Sequence, residues 1–194
     1  MRQLITILFC LWTLASCSQK RLDYGAIRAN PDFTCTDTAI ESYCKLDKIC
    51  NSENEIEIRL EALYEPLADF ALYVLANNDS AWTVTRYSRS THRSTNDTAI
   101  SIVADTLNNR RIVERLIDTL KQNDVFALPD QDDLKINGYV DDGDNYTLTF
   151  KVGRKFRSYN FNNPDIYKED YRQMKEFKNY SNIVNAFYNA FSKK

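Results

Sequence analysis

Hydrophobic and polar positions alternate most regularly where Tyr146, Leu148, Phe150 and Val152 are separated by Thr147, Thr149 and Lys151. A period of two is that of a half-buried strand. Gly153-Arg154 then suits a type II′ turn, because glycine at the first central position takes positive φ without steric cost. Residues 146–164 therefore read as one hairpin, with Leu148 facing Tyr159 and Tyr146 facing Phe161. The same period places Ile56, Ile58, Leu60 and Ala62 opposite Glu55, Glu57, Arg59 and Glu61, which predicts a strand with one wet face. Residues 70–75 and 82–87 are aromatic and β-rich, and the polar stretch 76–80 between them predicts a second hairpin. Ile100, Ile102 and Ala104 alternate again and give a fourth strand ahead of the 146–164 hairpin.

Two segments change to the helical period. Ile112, Val113, Leu116, Ile117 and Leu120 fall on one face of a helix that must stop before Pro129. Phe177, Tyr180, Val184, Phe187 and Phe191 recur at spacings of three and four, an apolar stripe of the kind that covers a sheet. Thr38 and Glu41 have the spacing of a capping box and open a short helix. Strands, helix, hairpin, helix is the order of an α+β fold: an antiparallel sheet of about six strands with the middle and C-terminal helices on one face. Residues 35–194 are expected to form one such domain.

Composition narrows the function classes. A formal net charge of -2 argues against nucleic acid as a partner. The four glycines, at 25, 138, 143 and 153, form no phosphate-cradling loop, so no nucleotide or other cofactor is expected.

The N-terminus gives an address. Arg2 precedes an apolar run from Leu4 to Leu14, shorter than the ~20 residues that a spanning helix needs, so residues 1–16 read as an export signal. Leu14-Ala15-Ser16-Cys17 resembles the bacterial lipobox. That resemblance implies that Cys17 becomes the acylated first residue of a mature lipoprotein, with residues 17–34 as the tether. By the same likeness to lipoprotein sorting signals, Ser18 lacks the aspartate of inner-membrane retention, and residues 18–21 lack the acidic run that sends some lipoproteins to the cell surface. The expected location is the cell envelope, lipid-anchored to the outer membrane and facing the periplasm. Residues 146–184 also resemble small envelope lipoproteins of Gram-negative bacteria, a likeness that carries no activity.

Several residues are candidates for chemistry. Cys35, Cys44 and Cys50 surround the first short helix, and in an exported protein they suggest one disulfide and one thiol, with three pairings open. No C-x-x-C or adjacent histidine accompanies them, so no metal is expected there. Residues 88–95, which hold the lone histidine His92, read as a polar loop, and Arg89 and Arg93 within it could gather an anion with Arg86 close by. Asp130, Asp132, Asp133, Asp141, Asp142 and Asp144 cluster without the spacing of a calcium loop. Triplets at Asp37-Thr38-Ala39, Asp79-Ser80-Ala81 and Asp97-Thr98-Ala99 resemble an O-glycosylation signal of exported Gram-negative proteins, which implies modification at Thr38, Ser80 or Thr98. No nucleophile, base and orienting acid can be matched. The expected role is a non-catalytic binding or adaptor domain with an envelope protein as partner and the membrane held through its lipid. An envelope hydrolase and an inhibitor or immunity-type protein are the alternatives.

Overall fold

The structure is a computed structural model, and it describes residues 26–36, 38–64, 69–78, 81–93, 98–136 and 143–192. The export signal, Cys17, Ser80 and the side chains of His92, Arg93 and Thr98 lie outside the described residues. A short helix α1 (Ala39–Tyr43) precedes strands β1 (Ile56–Tyr64), β2 (Asp69–Asn78), β3 (Ala81–Arg93) and β4 (Thr98–Leu107). Helix α2 (Arg110–Gln122) follows, then β5 (Asn145–Val152), β6 (Lys155–Asn162), α3 (Pro164–Asp170) and α4 (Lys175–Ser192). The strands form one sheet in the order β4-β3-β2-β1-β5-β6, antiparallel throughout. This is the α+β arrangement that the pattern predicts.

The 145–162 hairpin has the expected register: Tyr146 opposes Phe161 and Leu148 opposes Tyr159. Gly153 sits at φ +58° in its turn while Arg154 keeps a negative φ, as a type II′ turn requires. At the other end of β5, a Cβ on Gly143 would lie 1.9 Å from Asn163 Oδ1. Only glycine fits there, and Asn163 uses that closeness to accept the Asp144 N–H (3.1 Å).

One face of the sheet holds the main core. Ile56, Ile58 and Leu60 of β1, Tyr73 and Leu75 of β2, Leu148 and Phe150 of β5, and Tyr159 and Phe161 of β6 point to it. Onto them α2 lays Val113, Leu116, Ile117 and Leu120, and α4 lays Phe177, Tyr180, Ile183, Val184, Phe187 and Phe191. Asn109 caps α2 by accepting the N–H groups of Arg111 and Ile112. The aromatic rings interlock, with Phe161 stacked on Tyr180 (centroids 4.6 Å apart) and Phe126 edge-on to Phe150 (5.1 Å).

The opposite face corrects the wet face expected for β1. Glu57 and Arg59 are each only 3% exposed. They are covered by residues 38–54, which α1 and a Cys35–Cys50 disulfide (Cα–Cα 6.3 Å) fold back across the sheet. Alternation reports which side of a strand a residue faces, and says nothing of what covers that side. A second correction concerns residues 88–95, expected as a polar loop, of which 94 and 95 lie outside the described residues while 88–93 are strand. They continue β3, paired from Arg89↔Ile102 to Arg93↔Thr98. The β2–β3 hairpin is likewise longer than expected, with Ala76 and Asn77 inside β2.

Candidate functional site

Strand geometry decides the fate of the arginine cluster. Residues three apart on a strand face opposite sides of the sheet, so Arg86 and Arg89 do not converge. Arg86 lies on the helix side, where it pairs with Asp105 (3.5 Å) and stands 4.9 Å above the Phe191 ring. Its role in that geometry is to close the core at β3 and β4. Thr38, the described glycosylation candidate, has its hydroxyl engaged twice: it accepts the Glu41 N–H (3.1 Å) and donates to Glu61 Oε1 (2.6 Å). Asp130 accepts the N–H groups of Asp132 (3.1 Å) and Asn160 (3.0 Å), while Asp141 and Asp142 lie outside the described residues. Among the described residues no three acidic, histidine or cysteine side chains are grouped as metal ligands.

Two polar constellations escape a sequence reading. The first is the charged layer under α1. Arg59 Nε donates to Glu57 (2.6 Å), its Nη1 to Glu41 (2.5 Å) and its Nη2 to the Asp47 carbonyl (2.9 Å). Glu57 also accepts from Ser52 Oγ and Asn54 Nδ2, and Lys151 donates to the Ser52 carbonyl. Beside it the free Cys44 is buried. Burial pushes its thiol up to about 11 from 9.0, and the Glu61 and Glu41 carboxylates add to the rise. The second is a seam of tyrosines on the helix side. The Tyr64 and Tyr188 hydroxyls bond at 2.8 Å, Tyr188 donates to Tyr146 (3.2 Å) and Tyr146 to Asp144 (3.2 Å). Burial raises all three phenols, so they stay protonated.

The surface that can receive something is found by phasing the ladder. Gly153 N–H donates to Glu55 O (2.8 Å), which makes the odd residues of β1 bond to β5 and its even residues to β2. Counting through the registers, even residues of β3 bond to β4, so Thr98, Ile100, Ile102, Ala104 and Thr106 aim their N–H and C=O groups away from the sheet. The same count gives Phe156, Ser158, Asn160 and Asn162 as the outward residues of β6. These two edges are treated differently.

On β6, outward groups of Phe156, Asn160 and Asn162 are used. Asn30 N–H donates to the Phe156 carbonyl (3.0 Å), Asp130 accepts the Asn160 N–H, and Gln131 accepts the Asn162 N–H (2.9 Å) while donating to its side chain (2.7 Å). Phe33 stacks on Phe156 to hold the incoming chain there (5.7 Å). On β4, among the described residues, no segment runs along the outer side. That edge is ten residues long, carries Asp105 as its only charge, and leaves Val103 48% exposed. Beside it, on the face that α1 covers only in part, lie half-buried Tyr87 and Ile102, exposed Ala104 and, on α1 itself, Tyr43 stacked on Phe70 (6.4 Å). Val103 and Tyr43 carry no sequence signal, because exposure of a strand edge depends on where the neighbouring strands stop.

Compared with known proteins, the chain matches no family model and no curated protein.

Proposed function

We propose that this chain is a lipid-anchored, non-catalytic binding domain of the bacterial envelope, held by acylated Cys17 on the periplasmic side of the outer membrane. Its binding surface is the β4 edge with the apolar strip of Tyr43, Tyr87, Ile102 and Ala104 beside it. One observation carries the reading: outward groups of Phe156, Asn160 and Asn162 on β6 are bonded, whereas among the described residues no segment bonds the outward groups of β4. A long edge strand of low charge is a template for another strand, and proteins that do not use such an edge blunt it with charge, proline or cover. Among the described residues, no helix is long and apolar enough to cross a membrane. In this reading the lipid at Cys17 is the anchor.

The test is crosslinking and co-purification of the native lipidated protein from envelope membranes, beside a Cys17→Ser form and an Ala104→Pro form. Proline at 104 removes an outward N–H and leaves the β3 ladder intact. The expected result is an associated protein that is retained by the native chain and lost from the Ala104→Pro variant. Association unchanged by that variant would remove β4 as the binding edge. An intact mass without acyl chains would remove the anchor.

A further inference from the structure

We infer that the occupant of the open β4 edge is a second copy of this chain, joined antiparallel about a two-fold axis through Val103 to make one twelve-stranded sheet. The inference rests on the binding reading above and specifies its partner. Three features of the edge favour a second copy.

The first is phase. An axis at Val103 pairs residue i with residue 206 minus i, so Ile102 meets Ala104 and Ile100 meets Thr106 of the other copy. All four are residues whose backbone groups point outward, so the bonds are reciprocal and the edge is consumed over residues 99–107. Val103 itself bonds inward to β3, and therefore meets its own counterpart at a non-hydrogen-bonded position, where Cα atoms come within about 4.5 Å. The exposed Val103 side chain then packs against its equal.

The second is charge. Asp105 is the only ionised side chain in β4 and is already paired with Arg86 of its own chain. Under this axis it faces Ser101 of the other copy, so no like charges are opposed. A net charge of about -3 per mature chain, after Arg2 leaves with the export signal, adds little repulsion.

The third is closure. Because Asn30, Asp130 and Gln131 bond to outward groups of β6, each copy has, among the described residues, one open edge. An isologous pair uses both and stops, whereas two open edges would build a filament.

The experiment uses the lipidated protein in envelope membranes. Val103→Cys is oxidised and run without reductant, with the parent chain, which retains buried Cys44, and Glu114→Cys on the exposed side of α2 as controls. The expected result is a band of twice the mass for Val103→Cys alone, because a separation near 4.5 Å lies within disulfide reach. Adding Ala104→Pro should abolish it. Sedimentation of the detergent-solubilised parent chain should independently give a dimer, and of Ala104→Pro a monomer. A monomeric parent chain with no crosslink overturns the inference. In that case, a different protein that is captured by the parent and lost with Ala104→Pro leaves the binding reading standing. Capture indifferent to Ala104→Pro overturns both.

Discussion

The two faces of the sheet are covered by opposite means. On the helix side, β1 presents Ile56, Ile58, Leu60 and Ala62 to α2 and α4, and the contact is almost wholly apolar. On the other side the same strand presents Glu57, Arg59 and Glu61 to a short helix and a disulfide-closed loop, and the contact is made largely of charged hydrogen bonds. A non-directional contact tolerates repacking, whereas a buried ion network holds one geometry and fails when one member is lost. The N-terminal cover is therefore positioned by specific bonds, and the helical cover by burial.

Removing one member from each face should break both, with different rescue. Phe187→Ala, deleting a fully buried ring, is expected to cost about 3–5 kcal/mol in denaturant unfolding. Arg59→Ala should cost about 3–5 kcal/mol because Glu41 and Glu57 are left buried without their cation. The contrast is sharpened by Arg59→Met combined with Glu41→Leu and Glu57→Leu, which should recover much of that loss. A combined variant as unstable as Arg59→Ala would mean that the charges are needed for folding itself. Reduction of Cys35–Cys50, which spans 15 residues, is expected to cost about 3 kcal/mol, seen as a lower unfolding midpoint with reductant. Thr38→Ala removes the α1 cap and the bond to Glu61, and should cost about 1 kcal/mol by the same measurement.

The smallest effect is at Cys44. Its folded pKa, raised to about 11 from 9.0, means that the thiol's contribution to stability is fully present below pH 9 and is lost as pH rises through about 11. Alkylation at pH 8 should be slow in the native protein and fast after unfolding. Equal rates in both states would show that α1 does not bury the thiol.

Legibility from sequence followed the kind of cover. The 146–164 hairpin could be read to the register, because a period-two pattern and Gly153 fix both strands and turn. The α4 stripe could be read for the same reason: its partners are any apolar surface. Glu57 and Arg59 read as solvated because their partners, Glu41, Asp47 and Ser52, are brought back by a loop whose path has no periodicity. Residues 88–93 read as a loop because Ser, Thr and Arg are common in turns, yet backbone pairing with β4 holds them extended. The β4 edge, open among the described residues, is the least legible feature. It depends on strand order and ladder phase, both long-range properties of the sheet.

The order of strands also fixes a standoff. The chain enters the domain along β6, where Asn30 bonds to Phe156, and β4 is the strand farthest from that entry. Five inter-strand spacings of about 4.8 Å separate them, roughly 24 Å. Under the proposal of a lipid at Cys17, the sheet would act as a bracket fixed at one margin and reaching outward with the other. Two brackets joined at their free margins would place their footings at opposite ends of a span of roughly 50 Å, and four or more acyl chains would hold that span flat on the membrane more firmly than either footing alone.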